Sequence, residues 1–157
     1  MTRWLGCILA VCAAGCSSVG AADEDALLAK TLSARLHIEH TGTSQPVTVS
    51  LVTGPLKGCR LGDHKILASL GGMRDSQSVA IPAQGAAVLN ISSASPTARC
   101  EFRAQFMPEP GAQYRLTYRT VQGGCVLSLE RREGGGWRAE PYADPNPECQ
   151  PKPAGAK

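Results

Sequence analysis

The run "CRLGDH" brings Cys59, Asp63 and His64 within six residues. That combination can supply a thiol nucleophile with a base, or ligands for a metal ion. A nucleophilic cysteine must be a free thiol whose pKa is lowered by neighbouring charge. A structural zinc site wants two Cys or His pairs at two- to four-residue spacing, and Cys59 has no such second pair. His37 and His40 are three residues apart, so on a strand they face opposite sides and cannot share an ion. They read as surface or edge histidines. No G-x-S-x-G elbow, H-E-x-x-H pair or phosphate-binding glycine loop occurs. "CRLGDH" therefore reads as a loop tied by a disulfide, and the chain reads as a non-enzyme with no catalytic residue, metal ligand or cofactor.

The other cysteines explain why Cys59 should be oxidised. Arg3 precedes an uncharged apolar run over residues 4–14. A membrane-spanning helix needs roughly 20 apolar residues, and this shorter run suits the apolar core of a secretory signal. It ends with Ala13, Ala14 and Gly15 before Cys16. Small residues before a cysteine at the end of a signal resemble the lipobox of bacterial lipoproteins, although Ala13 stands where that box usually opens with Leu. The resemblance implies removal of residues 1–15 and acylation (diacylglycerol, palmitate) of Cys16, which anchors the chain in a lipid bilayer. The alternative is an ordinary signal cut near Gly20 or Ala22.

Cleavage before Cys16 leaves four further cysteines, Cys59, Cys100, Cys125 and Cys149. An even number in an oxidising compartment points to two disulfides, with three pairings open. A hairpin turning at residues 134–136 would set Cys125 near Tyr142 and allow Cys149 to return to it. The expected pairing is therefore Cys125 with Cys149 and Cys59 with Cys100. A Cys100–Cys125 bridge competes, because both residues face inward at the same end of their strands.

Strands must position these residues. "SARLHIEH" alternates Ala34, Leu36 and Ile38 with Arg35, His37 and Glu39. "PVTVSL", "CEFRAQF", "YRLTYR" and "CVLSLER" alternate in the same way, as half-buried antiparallel strands do. Gly- and Pro-rich breaks such as "TGPLKG", "PAQG", "PEPG" and "EGGG" separate the runs, the spacing expected of a sandwich or barrel. Four domains of sequence follow. Residues 1–15 are the signal, 16–32 the lipidated N-terminus and tether, 33–143 a β-sandwich, and 144–157 a Pro-rich tail. "DEDALLAKTL" in the tether is the one helical candidate. Only 4% of the residues are aromatic, so the core rests on Leu, Val, Ile and Ala, and disulfides worth about 2–4 kcal/mol each would help it.

In "FMPEPGAQYRL", Phe106, Pro108, Gly111 and Tyr114 stand at a strand-to-strand corner. The run resembles the corner between strands E and F of immunoglobulin-like and fibronectin-like sandwiches, where a tyrosine hydroxyl ties back to the corner backbone. That implies the same role for Tyr114. With Cys125, Leu127 and Leu129 behind it, the stretch is also similar to small, mostly uncharacterised proteobacterial lipoproteins sharing an F-x-P-x-x-G-x-x-Y core. That likeness carries no activity. The expected fold is all-β, a small antiparallel sandwich, immunoglobulin-like or transthyretin-like.

The formal net charge of +3 is no nucleic-acid footprint, and export argues against such a partner. The outward positions of the strands are arginine-rich, with Arg103, Arg115 and Arg119, and also Arg131 and Arg138. Arginine meets phosphate and carboxylate groups through paired hydrogen bonds, so with Trp137 these residues form a candidate partner face. Cross-strand ion pairs on a solvated face, and Trp137 packed in the core, are the plainer readings. The function expected is that of an envelope lipoprotein, anchored in the outer membrane and facing the periplasm. It would serve as an interaction or assembly module for an envelope protein. The alternative is a binding or inhibitor module for an anionic glycolipid or a hydrolase.

Overall fold

The computed structural model describes residues 32–42, 45–55, 62–72, 74–94, 99–121 and 124–147. Residues 1–31, which include Cys16, the signal and most of the tether with its helical candidate, lie outside them. So do Cys59, Cys149 and the tail from residue 148.

Among the described residues nine strands form two sheets. They are β1 (Ser33–Thr41), β2 (Val47–Val52), β3 (His64–Leu70), β4 (Arg74–Pro82) and β5 (Ala87–Ala94). β6 (Arg99–Phe106), β7 (Gln113–Val121), β8 (Gly124–Glu133) and β9 (Gly136–Ala139) complete the set. One sheet has the order β4-β1-β7-β8-β9 and the other β3-β2-β5-β6. The all-β sandwich expected from the alternation is the fold observed. Constant-type immunoglobulin domains place their first two strands in one sheet, whereas here β1 and β2 lie in different sheets. The order is therefore not that of a constant-type immunoglobulin sandwich. Pairing is antiparallel except between β1 and β7, which run parallel from Arg35↔Gln113 to Thr41↔Arg119.

The alternation decides which side chains meet. Ala34, Leu36 and Ile38 of β1 and Tyr114, Leu116 and Tyr118 of β7 are buried, with at most 3% exposure. They pack against Val47, Val49, Leu89, Ile91, Ala104 and Phe106 of the other sheet. β2 slips by one residue against β3 between Val49 and Ser50 but keeps an unbroken register with β5. Its inward face therefore survives the bulge, whose irregularity falls on the side of the edge strand.

Two turns need glycine. The β8–β9 hairpin closes from Glu133 to Gly136 through Gly134 and Gly135, whose φ angles are 54° and 88°. Two positive φ values in a two-residue loop match the twist of the flanking strands. Gly42 follows β1 with φ 119°, and a Cβ there would lie 2.6 Å from the Thr120 carbonyl oxygen. β1 can end that close to β7 only because the residue has no side chain.

The expected disulfide pairing is not the one formed. Cys100 bonds Cys125, with Cα atoms 6.3 Å apart, within the range a disulfide spans. The hairpin does bring Tyr142 back to β8, where its hydroxyl donates to the Leu127 carbonyl at 3.2 Å. The next residue then crosses to the other sheet, where Ala143 exchanges backbone hydrogen bonds with Gln105 at 2.8 and 3.0 Å. The chain is thus led away from Cys125. Cys100, at the inward start of β6, is the cysteine that faces it.

Candidate functional site

The outer face of the five-stranded sheet carries the candidate partner residues. In one row across it lie Ser78, His37, Arg115, Glu130 and Ala139, each opposite the next. Arg115 donates to Glu130 from Nε at 2.8 Å and also reaches it from a terminal nitrogen at 2.7 Å. Its guanidinium lies 4.6 Å from the centre of the Trp137 ring, a cation–π stack on a half-buried ring. His37 bonds Ser78 at 2.9 Å and meets Glu39 at 3.2 Å. In the adjoining row Arg132 donates to Gln113 at 3.2 Å and sits opposite Trp137.

The arginines do not form one stripe. Arg103 belongs to β6 in the other sheet, where it meets Glu101 at 3.3 Å. Arg131 pairs in register with Tyr114 and so takes the inward side, at the margin of the sandwich. It is held there by Glu109, Glu133 and Glu140. The hydrogen bonds it donates to Glu133, and then to Glu109, hold its pKa above the usual arginine value. Arg138 approaches Glu133 at 3.4 Å. The cations of the outer face without a carboxylate partner among the described residues are Arg35, Arg119 and Arg132, the last bonded to Gln113. Arg119 lies opposite Val126, and Val121 and Val126 are exposed by 40% and 43%. That end of the face combines an unpaired cation with exposed apolar surface.

Behind the same sheet, two buried tyrosines mark the two ends of the interior. The Tyr114 hydroxyl accepts the Glu109 amide at 3.0 Å, the back-bond expected of a tyrosine corner. Burial raises the Tyr114 pKa, and the Glu109 amide opposes that shift. The Tyr118 hydroxyl donates to Cys125 Sγ at 3.0 Å and is joined to Ser93 Oγ. Phe102 packs edge-on against Tyr118 with ring centres 6.2 Å apart. The Tyr118 ring also lies 5.7 Å from that of His40.

His40 is not a surface or edge residue. It is fully buried, because the inward series of Ala34, Leu36 and Ile38 continues to it. Carrying that alternation one step further would have found it. His37 faces the other side, as expected from their spacing. His64 opens β3 with its ring nitrogen 3.3 Å from the Gly62 carbonyl, and the Asp63 carbonyl accepts the Thr53 and Gly54 amides. These two residues shape the neck of the β2–β3 loop. Among the described residues no group of three or more His, Cys, Asp or Glu is arranged to hold a metal ion.

No known protein family matches the chain, and no curated protein matches it. A functional reading therefore rests on this chain's own residues.

Proposed function

We propose that the protein is a bacterial envelope lipoprotein, anchored through acylated Cys16 in the outer membrane and facing the periplasm. Its sandwich serves as a non-enzymatic interaction or assembly module for another envelope protein. The observation that carries this reading is the Cys100–Cys125 disulfide inside a chain whose leader ends in "AAGC". A structural disulfide belongs to an exported protein, and the leader supplies both the export signal and the acceptor cysteine. The interaction face is the outer surface of the β4-β1-β7-β8-β9 sheet. Arg115, Glu130 and Trp137 form a fixed platform there, and Arg119 with Val121 and Val126 supplies the adhesive end.

The test is the intact mass of the membrane-extracted protein, followed by cross-linking in whole envelopes. The expected result is a mass beginning at Cys16 plus acyl chains, and a cross-linked envelope protein lost with Arg119→Glu. A non-acylated mass, or cross-linking that recovers no protein partner, overturns the reading. If Cys16 is acylated, Cys59 and Cys149 remain for the second disulfide, and peptide mapping without reduction should find them joined.

The unpaired Arg35 and Arg119 also favour the second reading, a module for an anionic glycolipid or an acidic hydrolase surface. Salt-sensitive binding to lipopolysaccharide that disappears with Arg35→Glu and Arg119→Glu would select it. Binding indifferent to both substitutions removes it.

A further inference from the structure

His40 is an ionisable side chain in a place that would suit a Leu or Phe. It has no exposed surface, and neither ring nitrogen has a hydrogen-bond partner among the described residues. Buried polar groups are almost always satisfied, so its immediate neighbours decide what it can do. In its row of the sheet stand Asp75 of β4 and Tyr118 of β7. The Tyr118 hydroxyl is committed to Cys125 and Ser93. Asp75 is committed as well. Its Oδ2 accepts the Gly71 amide at 3.1 Å and its Oδ1 the Ser76 amide at 2.8 Å. Those two bonds hold the turn between β3 and β4, which joins the edges of the two sheets.

We propose that His40 is a proton-operated release for the β3–β4 turn: when protonated, it draws Asp75 from the Gly71 and Ser76 amides and frees the turn. A buried cation needs a counter-charge, and Asp75 is the carboxylate in its row. Residues directly opposite on antiparallel strands have Cβ atoms about 5 Å apart, so rotation of the Asp75 side chain suffices. Glu39, on the same strand as His40, faces outward and is engaged by His37. Ser93 of the other sheet, and the Cys100–Cys125 bridge that links β6 to β8, carry no charge. A cavity of about 480 Å³ lined by Glu39, His40, Thr41, Asp75 and Ser76 adjoins both residues.

Burial lowers the His40 pKa from its ordinary 6.5, against a smaller upward pull from Asp75. A histidine with a folded-state pKa below its unfolded value contributes its full stability above 6.5. That contribution is lost as the pH falls through the folded-state value. The release therefore operates on the acid side of the ordinary histidine value.

The test is an NMR pH titration of the full purified chain with its disulfides intact, following the His40 imidazole and the Gly71 and Ser76 amides. The expected result is one shared midpoint below 6.5 for all three. His40→Leu should abolish the amide transitions in that window, and His37→Gln, on the opposite face, should leave them unchanged. Asp75→Asn should lower the His40 midpoint further and leave the turn amides flat. Should His40→Leu fail to fold, the wild-type, His37→Gln and Asp75→Asn titrations decide the matter. The proposal is overturned if the amides titrate unchanged without His40. It is also overturned if His40 titrates without them, or stays neutral down to the aspartate range.

Discussion

Tyr114 and Tyr118 share one face of β7, on either side of Leu116, and neither has exposed surface. Their surroundings differ. Tyr114 packs against Phe106 with ring centres 5.1 Å apart and satisfies its hydroxyl on a backbone amide five residues upstream. Beside it Arg131 gathers carboxylates from Glu109, Glu133 and Glu140. That end is closed by local bonds within one stretch of chain, with charge kept at the margin. Tyr118 reaches instead across the sandwich to Ser93 of β5, and to Cys125 of β8, the next strand of its own sheet. Its end is closed by a covalent bridge over a separation of 25 residues and holds an unsatisfied imidazole. The corner end is built for rigidity, and the bridged end combines a strong staple with a titratable core.

This contrast can be broken by substitution. The largest effect is expected from Cys100→Ala with Cys125→Ala. Removing a native disulfide from a small domain costs about 2–5 kcal/mol, and urea unfolding should register it. A loss well under 1 kcal/mol would mean that packing, not the bridge, holds that end.

A smaller effect separates the tyrosines. Tyr114→Phe leaves the Glu109 amide without its partner and should cost about 1–2 kcal/mol. Tyr118→Phe removes bonds to a sulfur and to a hydroxyl that can find another partner, and should cost under about 1 kcal/mol. The reverse order would show that the bridged end depends on its polar network rather than on its staple. The smallest effect belongs to the outer face. A double-mutant cycle of Arg115→Ala with Trp137→Ala should return a coupling of about 0.5–1 kcal/mol, as exposed cation–π pairs do. A coupling near zero would leave Arg115 as a partner of Glu130 alone.

Strands with strict alternation were legible in the sequence. β1, β2, β6, β7 and β8 each place apolar residues at every second position, so a period of two betrays them. β3, β4 and β5 were not legible as strands. β4 is an edge strand exposed along most of its length. β3 places exposed His64, Lys65 and Ile66 at its start, and β5 mixes Asn90, Ser92 and Ser93 into its run. Their strand conformation comes from pairing with β1, β2 and β6. The candidate face was legible only as a set of outward arginines. Glu130 as the partner of Arg115, and the transfer of Arg103 to the other sheet, depend on strand order, which a repeating pattern does not encode.

The sequence by itself determined the fold class, the inward faces of the best strands and the role of Tyr114. The first two follow from local periodicity, and the third was implied by the likeness to a tyrosine corner, whose donor and acceptor here lie five residues apart. Tertiary structure decided the disulfide, the surroundings of His40 and the grouping of the charges. Those depend on which strands become neighbours and on where the chain crosses between sheets. Ala143 pairing with Gln105, rather than returning along β8, leaves Cys125 to Cys100. The parallel docking of β7 against β1 sets Tyr118 beside His40. Contacts between residues far apart in the chain follow from the packing of the two sheets, and no short segment contains that information.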